Sequence, residues 1–397
     1  MGETPSFWKT LGFTVTVEGK ARLLVPRMEL YLRPDGQPEP AWAPVFYNPV
    51  MRDNRSLTVA GLRAYSGWKI RYFADPLAGA CPRAVRALLE TGVDQAYASD
   101  IDGLAVAVCR ENKRLNGLGS ELVVEKNDAN AFMYRLDYES TPVDAVDLDP
   151  YGSPVYYVQA AARLIAKKGL LIATATDLGP LEGKYPTVAL RRYGSLVHRT
   201  SFSKEVAARV LVWGIARLLT PLDRGVRPLL TYYDRHYIKL ILEVVHSKSM
   251  ATQTASQAGY LCIDSSQLPQ GYWHLEETLT RREGEACWRT LGPLWIGSLW
   301  DPGFIEKLTI EATGGGLDLS SHAQRMLRMM REESRVQAPY YYRLDLLHAI
   351  AGKGEMRSPQ LVVEELRARG FGASRTHFDP RGIRTNAGLQ DILESLS

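Results

Sequence analysis

The stretch VDAVDLDPYGSP, Val143 to Pro154, begins as an apolar strand and closes on two acids, a proline and an aromatic residue. Burying a carboxylate is costly unless it has a partner, so Asp149-Pro150-Tyr151 calls for a chemical reason. A carboxylate, a backbone carbonyl of Asp149 or Pro150, and an aromatic ring around one small space suit the exocyclic amine of a nucleobase. The lone pair of such an amine is delocalised into the ring and is a poor nucleophile. Hydrogen bonds accepted by Asp149 and a carbonyl would hold both N–H groups and aim the lone pair at an electrophile while Tyr151 stacks on the base. The rate gain would come from positioning and charge stabilisation. Asp147 lies on the same strand face as Asp149 by period-two alternation; it serves the cofactor, the pocket of Asp149, or structure alone.

Further acids repeat this placement. From about Ile70, short apolar runs alternate with amphipathic stretches, the pattern of a parallel sheet covered by helices. IRYFADPLAG, QAYASD, ELVVEKNDAN, VDAVDLDP and GLLIATATD read as successive strands, and RPLLTYYDRHYIKLILEVV as a terminal antiparallel hairpin. The expected fold class is α/β: a doubly wound, Rossmann-like class I methyltransferase domain with an antiparallel edge hairpin, followed by a smaller α+β C-terminal domain with a winged-helix-like unit. Ligands of such sheets lie over the carboxyl ends of the strands at the topological switch point, where Asp75, Asp100, Asp128 and Asp149 would meet. Each alone could be a helix N-cap. Asp100, or Asp102 if the strand runs on, suits the ribose hydroxyls of an adenosyl cofactor; Asp128 suits an adenine amino group, and the backbone at Ala129 the ring edge. Gly79 supplies a turn after the first strand, but DPLAGACPRAVR lacks the G-x-G-x-x-G cradle that a pyrophosphate needs. S-adenosylmethionine carries no phosphate and is the expected cofactor.

A chain of 397 residues is too long for one ordinary core, so two domains are expected, at residues 1–248 and 249–397. Hydrophobic content of 45% and charged content of 23% are those of a soluble globular protein. No apolar run is long enough to span a bilayer and MGETPSFWKT lacks the pattern of a signal peptide, so a cytoplasmic protein is expected. Cys81, Cys109, Cys262 and Cys287 form no C-x-x-C pair; they read as free thiols, and no metal site is expected. The net charge of +4 is uneven, because residues 321–397 hold 12 Lys and Arg against 9 Asp and Glu. There Arg367, Arg369, Arg375, Arg381 and Arg384, near His377 and Phe378, are candidates for phosphate contacts, with a merely solvated basic face as the alternative. SPQLVVEELRARG carries Ser358 as N-cap, Pro359 at the first helical position and Gly370 at the stop. Upstream, Pro49 and Asn54 mark a loop before a helix at Ser56, and residues 249–290 show little periodicity. No self-complementary apolar stripe stands out, so a monomer is expected.

VFYNPVMRDNRSL, VDLDPYGSP, TATDLGPLEGKYP, LGPLWIGSLWD, PYYYRLDLL and SRTHFDPRGIRTNA, in that order, resemble the tRNA (guanine-26, N2) dimethyltransferases from about Pro44 to Ala387. The resemblance implies S-adenosylmethionine-dependent transfer of one or two methyls to the amino group of a guanine in tRNA, guanine 27 being a further candidate, with tRNA-binding by the C-terminal domain and no DNA or membrane partner. It further implies cofactor contacts from Phe46 and Arg55, the ring near adenosine and the guanidinium at the methionine carboxylate. Asp75, Asp100, Asp128 and Ala129 match the strand-end cofactor positions, and Asp149, Pro150 and Tyr151 the catalytic turn. Tyr151 departs from the family's usual Phe, and the turn ahead of Arg83 from its usual small-residue run. Many relatives hold a four-cysteine zinc ribbon; two cysteines remain here, too few for a structural tetrahedral site. The other readings are a tRNA-binding or RNA-remodelling protein without turnover, and an amino-methyltransferase for another nucleic acid.

Overall fold

The computed structural model describes residues 4–265, 268–274, 289–314, 316–338, 340–351 and 357–396. Contacts divide the chain into two units. The first holds residues 1–150, 159–173 and 310–324; the second holds 151–158, 174–309 and 325–397.

In the first unit a short helix, Ser6–Thr10, leads into an antiparallel hairpin, β1 (Phe13–Glu18) and β2 (Ala21–Pro26), that the sequence pattern did not announce. The parallel strands follow: β3 (Tyr72–Asp75), β4 (Gln95–Asp100), β5 (Leu122–Lys126), β6 (Ala145–Leu148) and β7 (Lys168–Ala175). Their spatial order is β5-β4-β3-β6-β7, every neighbouring pair parallel. The chain runs outward from β3 to β5, then returns to the other side of β3, so the switch point lies between β3 and β6. The strands are short and mostly apolar, as expected of strands covered on both faces.

The helix expected at Ser56 begins four residues earlier and spans Arg52–Ala64, after a 3-10 turn at Pro49–Met51. Asn48 caps that turn, its side chain accepting from the Val50 amide. Asn54 therefore lies inside the helix and is buried. This helix buries polar residues as well as apolar ones, each against a specific partner: Asp53 accepts from the Ser320 amide (2.9 Å) and hydroxyl (2.6 Å), and Arg55 forks onto Glu18. A second fastening is Asn112, in the Gly103–Leu115 helix, which accepts from the Leu24 amide (2.5 Å) and donates to the carbonyls of Leu24 (3.2 Å) and Ala80 (2.7 Å).

The cysteines depart from expectation. Cys81 and Cys109, 28 residues apart, form a disulfide between α-carbons 5.0 Å apart. The helix starting at Pro82 and the helix holding Cys109 bring the two thiols into one buried layer, which spacing along the chain does not reveal. Cys262 is also disulfide-bonded, and Cys287 lies outside the described residues.

The second unit contains the expected antiparallel hairpin, β8 (Arg224–Asp234) and β9 (Tyr237–His246), and the long helix Ser203–Leu219. Residues 249–290 hold more structure than their weak periodicity suggested: a helix at Lys248–Ala255, then β10 (Ala258–Ile263) and β11 (Pro269–His274), which join β12 (Arg289–Trp295) in the order β11-β10-β12. Six-residue strands in a polar context leave too few alternations to read. Further on, helices Leu344–Ala351 and Pro359–Ala368 precede β14 (Ala373–Arg375) and β15 (Gly382–Thr385), and β15 also pairs β13 (Tyr341–Arg343). This is the helix–helix–hairpin order expected of a winged-helix-like unit. Leu344, Leu347, Val362, Leu366, Ile383 and Ile392 fill its core, and Ser358 caps the Pro359 helix as the sequence implied.

Candidate active site

The switch point is polar. Asp75 ends β3, Asp147 lies within β6, and Asp149 follows one residue after β6. One guanidinium joins the last two: Arg83 donates through Nη1 to Asp147 (3.1 Å) and through Nη2 to Asp149. Nη2 also reaches Asn54 Oδ1 (2.9 Å), and Nη1 lies 3.4 Å from the Thr58 hydroxyl. Thr58 in turn contacts Asp147 at 3.3 Å. Period-two alternation thus placed Asp147 and Asp149 on one face, as expected, and the helix at Pro82 supplies their shared cation.

Electrostatically the cluster is unbalanced. Three carboxyl groups face one guanidinium, and neither oxygen of the almost fully buried Asp75 has a hydrogen-bond partner. Burial, reinforced by Asp147 and Asp149 and opposed by Arg83, pushes the Asp75 carboxyl up to about 8. Burial would make Arg83 a weaker base, but Asp147 and Asp149 outweigh it and hold the guanidinium firmly charged. A buried carboxyl with a strongly raised pKa and no hydrogen-bond partner, standing at the switch point of the sheet, makes Asp75 a candidate functional position.

The remaining strand ends hold their acids differently. Asp100 uses Oδ2 to accept from the Gly79 amide and Oδ1 to accept from the Asp102 amide, both at 2.9 Å, so it fastens the β3 turn to the end of β4. Gly79 has φ of +53°, and a Cβ there would stand 3.0 Å from the Phe46 carbonyl oxygen. Glycine is required because the Phe46 segment crosses at this point. Asp102 and Asp128 are the N-caps of the Gly103–Leu115 and Ala129–Tyr138 helices. Asp128 accepts from the Asn130 and Ala131 amides at 2.9 and 3.0 Å, and the buried Ala129 follows it. The capping alternative therefore holds for Asp128 and Asp102, and not for Asp75, Asp100 or Asp149.

Arg55 is further from expectation. Its guanidinium forks onto Glu18 at 2.7 and 2.6 Å and donates to the Asn48 carbonyl at 3.1 Å, with the Tyr47 ring 4.9 Å away. Burial would raise the Glu18 carboxyl, but Arg55 and Arg86 pull it down to about 2. Pattern reading missed Glu18, which has no motif around it, and it left the role of Arg83 open. The signal for Arg83 was present: an arginine in the first turn of the helix that follows the first strand stands within reach of the acids at the switch point.

Tyr151 is 67% exposed. Its turn is held by reciprocal bonds, Gly152 N to Thr176 Oγ1 and Thr176 N to the Gly152 carbonyl, both 2.8 Å. At the other end of the chain the expected phosphate contacts are mostly spent. Arg384, Phe378 and the side chain of His377 are buried, Arg384 between Glu205 and Glu333. Arg367 pairs with Glu332, Arg369 with Asp391 and Glu394, and Arg381 with Asp345. Among the described residues no three His, Cys, Asp or Glu are grouped to hold a metal ion.

The chain is similar to known proteins. The sequence model of a family described as N2,N2-dimethylguanosine tRNA methyltransferase matches residues 19–397. A Pyrobaculum arsenaticum protein named tRNA (guanine(26)-N(2))-dimethyltransferase is 33% identical over 351 residues, covering 88% of this chain and 90% of that protein. An Aquifex aeolicus protein named tRNA (guanine(26)-N(2)/guanine(27)-N(2))-dimethyltransferase is 32% identical over 392 residues, covering 96% and 95%. The solved structure of Trm1 from Pyrococcus horikoshii in complex with S-adenosyl-L-methionine is 28% identical, covers 96% of this chain and 99% of its own, and superposes with a TM-score of 0.82.

Proposed function

The chain belongs to the N2,N2-dimethylguanosine tRNA methyltransferase family, and from that membership we propose that it moves methyl groups from S-adenosylmethionine to the exocyclic N2 of guanine 26 in tRNA. The observation that carries the reading is Asp149 at the β3/β6 switch point, clasped by Arg83 beside an unpartnered Asp75.

The residues fit the donor. S-adenosylmethionine is cationic and free of phosphate, and the turn at Gly79 follows the unpartnered carboxyl of Asp75 instead of forming a phosphate cradle. Asp75 would take the cationic end, Asp100 the ribose hydroxyls, and Asp128 with the Ala129 backbone the adenine edge. Phe46 would pack near adenosine. Arg55 would offer the methionine carboxylate the two guanidinium hydrogens that Glu18 and Asn48 leave over. When bound, the donor supplies an electrophilic methyl on a sulfonium.

Everything else falls to the chain. Arg83 fixes the rotamer of Asp149, whose carboxylate has about four acceptor sites and so can still receive an N–H of the guanine amine. The carbonyl of Asp149 or Pro150 receives the other N–H, and the exposed Tyr151 ring stacks on the extruded base. The amine is thereby oriented with its lone pair forward, and the proton of the methylated product leaves to water. We assign methyl transfer to residues 1–248 and further tRNA contact to 249–397, in a cytoplasmic monomer without DNA or membrane partners. In support, no helix among the described residues is long and apolar enough to cross a membrane.

Labelled S-adenosylmethionine incubated with an unmodified tRNA transcript tests the reading. Label recovered as N2-methyl- or N2,N2-dimethylguanosine and lost when guanine 26 is replaced bears it out. Tight tRNA binding with no label favours the remodelling alternative.

A further inference from the structure

Arg367, Arg369, Arg381 and Arg384 are engaged by neighbouring acids, whereas another segment of the second unit is basic and, apart from Arg192, keeps its cations clear of acids. Residues 178–204 contain five Lys and Arg against one acid, Glu182, so this 27-residue stretch has a formal charge equal to that of the whole chain, +4. Lys184, Arg191 and Arg199 are exposed, and none of them has an acidic partner among the described residues. Glu182 is occupied by the Tyr233 hydroxyl at 2.7 Å.

Aromatic rings interleave with these charges. Lys184 lies over the ring of Tyr185 (5.3 Å), Arg192 over Tyr156 (5.6 Å) and Lys204 over Tyr233 (5.1 Å), and Tyr185 and Tyr156 are 48% and 60% exposed. The segment is also anchored to the turn that presents Tyr151. The Tyr193 hydroxyl donates to Asp177 at 2.6 Å and meets Ser153 Oγ at 2.8 Å, and Arg192 pairs with Asp177 at 2.5 Å. Burial, and then the Asp177 charge, raise the Tyr193 phenol, so it remains a donor. With Gly152 and Thr176 bonded to each other, the exposed Tyr151, Tyr156 and Tyr185 and the free cations belong to one tied segment.

Unpaired cations beside exposed rings are what a strand of RNA requires, phosphates on the charges and bases on the faces. We propose that residues 178–204 are a strap that binds the tRNA nucleotides flanking the extruded guanine. The proposal rests on tRNA being the substrate and adds where the chain holds it.

The test compares two variants of the full chain, Lys184→Ala/Arg191→Ala/Arg199→Ala and Arg367→Ala/Arg369→Ala, by fluorescence anisotropy of unmodified tRNA across a salt series. Each lost phosphate contact lowers the slope of log affinity against log salt by about 0.7–0.9. The triple variant is expected to lose about 10- to 1,000-fold in affinity and about two units of slope, with S-adenosylmethionine affinity unchanged. The double variant is expected to stay near wild type, and Arg191→Lys/Arg199→Lys to retain binding. Wild-type affinity and slope in the triple variant would overturn the strap, whatever the double variant does. Methylation by the wild-type chain is scored separately. Binding without methylation leaves the strap and removes the enzyme reading, while methylation with an unaffected triple variant removes the strap alone. A wild-type chain that does not bind tRNA refutes both.

Discussion

The Arg83 cluster of the first unit and the Glu333 cluster of the second, both buried, differ in how fully they are satisfied. In the first unit Asp75, Asp147 and Asp149 share Arg83, and Asp75 has no hydrogen-bond partner. In the second, Glu333 accepts from Arg384 Nε (3.0 Å), the Thr376 hydroxyl (2.5 Å) and the His377 amide (3.2 Å), and pairs with His377 Nδ1 (2.6 Å). Arg384 continues to Glu205 (2.6 Å), which Arg209 also binds. A saturated network holds a fold together; a buried carboxyl left without a partner at the switch point of the sheet is a candidate for binding a ligand. The same residue types therefore separate structure from function by how many of their bonds are made.

The contrast can be broken by substitution. The largest effect on stability is expected from Glu333→Ala, which strands Arg384 and His377 in the interior and should cost about 3–5 kcal/mol, read as a lowered midpoint in denaturant unfolding. Arg83→Met should instead strike turnover. With the anchor of Asp149 gone, kcat for methyl transfer should fall about 10²- to 10³-fold, with KM for tRNA little changed and Arg83→Lys recovering part of the loss. A fall in tRNA affinity at constant kcat would deny Arg83 the positioning role.

The two clusters should also respond to acid with opposite signs. Glu333 is taken up by burial but carried down to about 2 by His377 and Arg384, against an ordinary 4.5. Its contribution is present above pH 4.5 and is lost as pH falls towards 2. Asp75 is raised from an ordinary 3.8 to about 8. Between those values the unfolded chain sheds the proton that the folded chain keeps, so in cofactor-free protein this group lowers stability as pH rises from about 4 to 8. Asp75→Asn should remove that slope, leaving the variant relatively more stable at pH 8 than at pH 4 in paired urea titrations. A smaller expectation concerns affinity: the same Asn should weaken S-adenosylmethionine binding about tenfold or more, the worth of one charged hydrogen bond, measured by calorimetry.

The parts of the site that repeat along the chain were legible. Strand, acid and helix recur with a spacing that period-two and helical patterns expose, so the ends of β3, β4, β5 and β6 could be placed from the sequence. What joins them across space was not. Arg83 and Asp149 are 66 residues apart, Glu18 lies in a hairpin outside the repeating pattern, and Cys81 and Cys109 meet only after two helices pack. The C-terminal arginines misled for a related reason: charge is visible in a sequence, but the acids that neutralise Arg367, Arg369 and Arg381 come from other elements.

The central claim is that the unsaturated cluster is where the methyl moves, with Asp149 receiving the amine. Single-turnover transfer by Asp149→Ala, measured beside its S-adenosylmethionine affinity, tests this most directly. The account predicts near wild-type cofactor binding and at least a hundredfold slower formation of N2-methylguanosine. Wild-type turnover with normal cofactor affinity would contradict it and move the chemistry away from the end of β6.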